Sequence, residues 1–244
     1  MNRDSNSYTF LFAGIMVFVV ASSLAITASS LKDIQAENVR KEKMQNILST
    51  IGIQTDREQA ETLYNKFITE QLSLKTDGSV DTESNAFEIK LNNEIKKPIM
   101  DQRFPLYRAS VEDENYYIVP LRGAGLWDAI WGYIALKDDK NTIKGAVFDH
   151  KGETAGLGAE ITQQWFQDRF VDEKIFDTDG NLVGISVSKT NNDPSDSDKD
   201  DHEIDAISGA TITGDGVTDM IKERLQHYLP YFQKESSAMA INLN

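Results

Sequence analysis

The chain opens on an uninterrupted apolar run, thins to scattered apolar positions at helical spacing, and then alternates. No charged side chain occurs from Ser5 to Leu31, and 8–26 (YTFLFAGIMVFVVASSLAI) is apolar on every side and long enough to cross a bilayer as a helix. Over 31–53 the apolar points Leu31, Ile34, Val39, Met44, Ile47 and Leu48 predict a polar helix that extends the first as a stalk. A further helix is predicted over 56–74, with Leu63, Phe67, Ile68 and Leu72 on one side. After Asp77-Gly78 the pattern becomes strand-like, and turn residues bound candidate strands at 86–91, 116–121, 132–136, 142–149 and 182–188. One helix is predicted near 159–170. A last one covers 217–229 through Val217, Met220, Ile221, Leu225, Tyr228 and Leu229, after a turn at Gly214-Asp215-Gly216 and before a stop at Pro230. Helices first and strands afterwards, with few helices between the strands, predict the α+β class. No internal repeat is visible.

The first thirty residues allow two readings. Ser23-Leu24-Ala25 would suit cleavage of a signal peptide, but Arg3 stands beside Asp4 and the apolar run exceeds a usual signal core, so a retained single-span anchor is expected. Lys32, Arg40, Lys41 and Lys43 follow the span and only Arg3 precedes it, which by the positive-inside rule would leave the soluble part in the cytoplasm. A 40% hydrophobic composition suffices for a packed core. The formal net charge of −14 argues against nucleic acid as a partner, because phosphate binding needs a basic footprint. With no cysteine, the chain can form no disulfide, thiolate nucleophile, iron–sulfur cluster or cysteine zinc site. His150, His202 and His227 are scattered, without metalloprotease spacing, so any redox carrier here must be organic.

Chemistry concentrates near the C-terminal end, in Ser208, Gly209, Ala210, Thr211, Ile212 and Thr213, preceded by Asp205. A threonine hydroxyl can be esterified by phosphate, and Gly209 and Ala210 leave room for a bulky group beside the backbone. Thr213 is expected close to a helix N-terminus, where free N–H groups and the helix dipole favour a phosphate. The competing reading is a helix cap, for which Ser, Thr, Gly and Asp are equally suited. The acidic stretch 191–205 spaces Asp196, Asp198 and Asp200 as in a calcium loop. Asp201 replaces the required glycine and Ile207 the bidentate glutamate, so a solvated, mobile loop is expected. Gly123-Ala124-Gly125 and Gly156-Leu157-Gly158 both fail to complete a dinucleotide fingerprint, which argues against NADH binding by this chain.

Segments 118–136 (IVPLRGAGLWDAIWGYIAL), 150–161 (HKGETAGLGAEI) and 205–213 (DAISGATIT) together resemble the C subunits of sodium-translocating NADH:quinone reductases, the NqrC family. The third matches the family's DxxSGATxT pattern fully; the second carries Ala155 where proline is usual. The second and third are shared with the related G subunits of Rnf complexes, while Gly125-Leu126-Trp127 favours the NqrC family. The resemblance implies a single N-terminal transmembrane helix and a soluble FMN-binding domain of mixed β-sheet with flanking helices. Its limits would be a tail at 1–7, the membrane helix at 8–30, a stalk at 31–75, the FMN domain at 76–235 and a tail at 236–244. It also implies FMN joined through its phosphate to Thr213, with Ser208, Gly209, Ala210 and Thr211 as the attachment motif. A transferase of the ApbE type, using FAD and magnesium, would recognise Asp205 and that motif. Leu126, Trp127 and Leu157 could contact the flavin rings, Glu153 and Thr154 could face polar atoms, and Lys189 could hold positive charge nearby and raise the potential. Each of these has an ordinary alternative as a core, helix-entry or solvated residue. The family further implies the remaining proteins of the pump as partners and a bacterial inner-membrane location with the soluble part in the periplasm. That opposes the flanking charges, which long C-terminal domains can override. The alternatives are an Rnf-type carrier, a membrane-tethered binding module without flavin, and, more remotely, a secreted hydrolase.

Overall fold

The computed structural model describes residues 5–193 and 197–242. Helix α1 runs from Asn6 to Thr50, and its apolar first half is long enough to cross a membrane, with mean hydropathy 2.3 in the most apolar window. Two compact units divide at Lys43, so α1 contributes its first part to one and 44–50 to the other.

In the second unit, α2 (Ala60–Phe67) leads directly into β1 (Ile68–Leu74). After α3 (Leu91–Glu94), strands β2 (Phe104–Val111), β3 (Glu114–Ala124), β4 (Ala129–Lys137) and β5 (Ile143–His150) complete a five-stranded antiparallel meander in the order β1-β2-β3-β4-β5. Then come α4 (Gln164–Gln167), a separate parallel pair β6 (Ser186–Val187) and β7 (Glu203–Ile204), and helices α5 (Thr211–Gln226) and α6 (Leu229–Asn242). The architecture is α+β with an apolar N-terminal helix, as the sequence predicts.

Both faces of the meander are covered. Tyr117, Val119, Leu121, Ile134 and Leu136 point into a core closed by Val217, Met220, Ile221 and Leu225 of α5. Their neighbours Tyr116, Ile118 and Ala135 point the other way, against Met44, Ile47 and Leu48 of α1 and Ala60 and Tyr64 of α2. A strand buried on both faces reads as a continuous apolar run, which is why β3 is visible in the sequence. Residues 44–75, placed in the stalk on sequence alone, thus supply core side chains and the edge strand β1 to the compact unit.

Several elements differ from expectation. The helix expected over 56–74 ends at Phe67, where the period changes from helical to alternating and the chain extends along β2. The strand expected at 86–91 is a 3-10 turn at Ala86–Glu88, fixed by Asn85 accepting the Phe87 N–H at 2.9 Å, followed by α3. Strand β2 is absent from the sequence pattern because Pro105 interrupts it. The helix expected at 159–170 breaks into short turns around the extended Gln163, and only Ser186 and Val187 of 182–188 form a strand. Gly214-Asp215-Gly216 is not a turn but part of α5, which ends at Gln226; Pro230 opens α6, where a helix's first turn tolerates it. The second half of the acidic loop is anchored, through Lys174 to Asp200 at 2.6 Å and Lys199 to the Arg169 carbonyl at 3.0 Å. Asp196 lies outside the described residues.

Glycine is unfavourable inside a helix, and packing is the reason α5 keeps it. A Cβ on Gly216 would lie 2.2 Å from the Ala124 carbonyl oxygen, and one on Gly123 would lie 2.7 Å from Met220 Cβ. These two glycines let helix and strand touch backbone to backbone, and so place the start of α5 at the β3–β4 turn. Gly216→Ala is expected to destabilise the full-length chain in detergent by about 1–3 kcal/mol, the usual cost of overpacking, despite alanine's better helix propensity. Urea denaturation followed by circular dichroism measures it; an unchanged or raised midpoint would count against the close approach.

Candidate functional site

Three loops meet at one end of the meander. The first is the β3–β4 hairpin, closed by the Gly125 N–H on the Asp128 carbonyl at 2.8 Å, which leaves Leu126 and Trp127 exposed at its tip. The second is 151–158, which leaves β5 and is tied to the hairpin by Lys151 Nζ to Asp128 Oδ2 at 2.9 Å. The third is 205–210, entering α5. Gly209 has φ +76° and a Cβ there would lie 2.8 Å from Leu157 Cδ2, so the motif's glycine answers both a left-handed turn and a close contact.

Between the loops lies a cavity of about 220 Å³, lined by Leu126, Glu153, Thr154, Leu157, Gly158 and residues 209–213. Thr213 lies in the first turn of α5, not ahead of it, and its side chain is buried. Its hydroxyl donates to Glu153 Oε2 at 2.6 Å. The other carboxylate oxygen, Oε1, accepts the Trp127 N–H at 2.9 Å, while the Glu153 N–H donates to His150 Nδ1 at 3.1 Å. Burial pushes the Glu153 carboxyl upward; the Thr213 hydroxyl and the N–H groups of Trp127, Asp128 and Leu126 outweigh it and hold the group below the usual glutamate range. Gly158 closes over the pair, since a Cβ there would lie 2.4 Å from Glu153 Oε2 and 2.5 Å from Thr213 Oγ1.

The N-terminus of α5 has no side-chain cap. Its first intrahelical bond is Gly214 N–H to Ala210 O at 2.9 Å, and the N–H groups of Thr211, Ile212 and Thr213 have no protein acceptor among the described residues. Capping therefore does not account for the Ser/Thr-rich motif. An anion at this helix end would meet three unpaired donors and the positive end of the dipole.

Of the residues singled out in the sequence, Gly209, Ala210, Thr211, Thr213, Leu126, Glu153, Thr154 and Leu157 line the cavity. Trp127 borders it, its indole N–H donating to Thr154 Oγ1 at 3.2 Å. Ser208 and Lys189 are exposed and do not line it. Asp205 is buried; its carboxylate accepts the Asp193 N–H at 3.3 Å and its carbonyl the Arg169 guanidinium at 2.7 Å, so it braces the third loop. Gly158 and Ile212, which lie within the sequence motifs but carry no role of their own there, also line the cavity; the signal for Gly158 is the second glycine of Gly156-Leu157-Gly158, which has meaning here as a close approach and not as a nucleotide fingerprint. Among the described residues, no group of three or more His, Cys, Asp or Glu is placed to hold a metal ion.

Comparison with known proteins gives a consistent result. Residues 125–226 match the FMN-binding domain family, a span that begins at the hairpin and ends with α5. The C subunit of the Na(+)-translocating NADH-quinone reductase of Vibrio anguillarum is 33% identical over 88% of this chain and 89% of its own length. That of Haemophilus ducreyi is 31% identical over 91% and 90%. The crystal structure of the corresponding protein from Parabacteroides distasonis matches with TM-score 0.74 and 37% identity, covering 82% of this chain and 96% of that one. The Shewanella oneidensis NqrC structure, 23% identical with TM-score 0.68, supports the fold.

The Glu153 contact predicts a pH dependence. Glu153→Gln in the flavin-free chain should cost about 1.5–3 kcal/mol at pH 7, the range for a hydrogen bond to a charged group. Because the folded carboxyl titrates below its unfolded value, its contribution is full above about pH 4.3 and fades as pH falls further. Urea midpoints of wild type and variant should converge on acidification; a constant gap would show that ionisation of Glu153 contributes nothing.

Proposed function

Because the chain belongs to the NqrC family, the C subunits of Na+-translocating NADH-quinone reductases, and carries its FMN-binding domain, we propose that it holds FMN as a phosphoester of Thr213 and relays electrons within that complex. The observation that carries this reading is the position of Thr213, on a cavity wall at a helix end whose donors lack a cap.

The site fits the group in two parts. The uncapped N–H groups of α5 suit the phosphate, and the cavity of about 220 Å³ suits the phosphate with part of the ribityl chain. Leu126 and Trp127 on the hairpin, Leu157 on the facing loop and Ile212 in the first turn of α5 are exposed apolar side chains at the rim, suited to a flat aromatic ring system. Thr154 and the indole N–H that bonds it offer polar atoms beside them. Bound FMN would supply one-electron redox chemistry; the chain supplies attachment, orientation and partial shielding from water. Lys189, two residues beyond β6, would influence the flavin through its field and not by contact.

The remaining assignments follow from the same reading. Other proteins of the reductase are the partners, and a flavin transferase of the ApbE type loads Thr213. The apolar start of α1, 8–30, is the single membrane anchor, in the bacterial inner membrane with the soluble unit on the periplasmic side. The FMN domain keeps its proposed C-terminal limit at 235.

Co-expression with a flavin transferase tests the attachment. Wild-type chain, denatured and separated on a gel, is expected to fluoresce and to gain the mass of one FMN less one water. Thr213→Ala should abolish both and Thr211→Ala should retain at least some. Flavin persisting on the Thr213 variant would move the site elsewhere.

A further inference from the structure

We propose that Glu153 is the proton acceptor for esterification of Thr213, so that this chain carries in its own fold the base for loading its cofactor. The inference rests on the attachment reading above and goes beyond it by assigning a catalytic residue to the acceptor protein.

The geometry has the parts of an activated nucleophile: a hydroxyl within hydrogen-bond reach of a base, and a base oriented by further groups. Thr213 Oγ1 donates to Glu153 Oε2 at 2.6 Å. Glu153 is fixed at both ends, by the Trp127 N–H on Oε1 at 2.9 Å and by its own N–H on His150 Nδ1 at 3.1 Å. Gly158 leaves no space for another side chain at the pair. A merely structural partner for a threonine hydroxyl is commonly a backbone carbonyl one turn back in the helix, the bond Thr218 makes to Gly214 O at 3.1 Å in this same α5. Thr213 instead reaches across 60 residues of sequence to an ionised side chain.

With FAD as donor, Thr213 Oγ forms a bond to the phosphorus on the flavin side of the pyrophosphate. The bond from that phosphorus to the bridging oxygen breaks, and AMP leaves with the electron pair. The hydroxyl proton passes to Glu153 Oε2 and then to water. Phosphoryl transfer asks little of its base: the proton moves late, when the attacking oxygen has become acidic, and an ordinary aspartate serves protein kinases in this role. A carboxylate held in the ionised form is therefore adequate. The uncapped N–H groups of Thr211, Ile212 and Thr213 face the phosphate being transferred.

The charged groups around Glu153 are few. Asp128 and Lys151 pair with each other on the two neighbouring loops, Glu160 accepts the Gly156 N–H, His150 holds the Glu153 amide, and Asp215 on α5 is exposed. Among the described residues no other side chain bonds the Glu153 carboxylate.

The test is the initial rate of flavin incorporation into purified full-length chain in detergent, with purified transferase, FAD and magnesium, at pH 7. Glu153→Gln is expected to lower the rate about a hundredfold, the lower end for loss of a general base, with half-saturation in acceptor chain unchanged. Glu153→Asp should recover part of it. Thermal melts establish folding of both variants; should the Gln variant not fold, the Asp variant decides, by a slowed rate at unchanged half-saturation. Gln variant loading at the wild-type rate, or a loss confined to half-saturation, overturns the assignment and leaves Glu153 a brace. Absence of label on the wild type, with the transferase active on another acceptor, removes the attachment reading itself.

Discussion

The hydrogen bond from Thr213 to Glu153 is the contact on which the site depends, because it joins the two halves of the FMN-binding unit. One partner stands on the loop after β5, fixed by the meander; the other stands on a helix that arrives some sixty residues later. Glu153 also binds the hairpin backbone, so one carboxylate connects its own loop, the hairpin and the start of α5. Such a group is costly to bury unless its acceptors are filled, and here hydroxyl and amide donors fill them. The energetics and the placement of the Thr213 hydroxyl have the same origin.

That contact is possible only because the chain gives up side chains around it. Gly123 and Gly216 bring α5 onto β3, Gly158 leaves space for the pair, and Gly209 makes the turn into the motif. Each position has its own steric reason, and together they set where the helix begins. A helix beginning at Thr211 without a cap has unpaired donors, which is destabilising in isolation and useful where an anion is to be held.

Much of this is legible in the sequence, and the gaps have physical causes. The apolar start of α1, β3, β4 and β5 are visible because strongly apolar or doubly buried segments write their period plainly. Strand β1 is hidden because it follows α2 without a turn, and β2 because Pro105 lies within it. The start of α5 is misplaced by sequence pattern because glycine signals a turn by local preference, whereas here the Ala124 carbonyl excludes a side chain at Gly216 and Val187 crowds one at Gly214. At the site, motif spacing identifies Thr213 and Glu153 separately. Nothing in the sequence says that they touch, since that depends on how α5 crosses β3. Asp205 illustrates the converse: it belongs to a recognition motif by sequence, yet it is buried and braces the loop behind that motif.

The distribution of polarity argues for a site built to expose one part of its ligand and bury another. In a chain of net charge −14, Leu126, Trp127, Leu157 and Ile212 are nonetheless exposed side by side around one cavity mouth. A binding module for a small polar ligand would enclose it and would not need this rim. A carrier must hold its cofactor firmly while keeping the redox-active edge within reach of other proteins. On the proposed attachment, the buried Thr213 hydroxyl would secure the phosphate end, and the apolar rim would let the ring system lie at the surface, partly shielded. The cavity is small for a whole flavin and adequate for its phosphate end, a division that favours the proposed electron relay over an enzyme that must enclose a substrate.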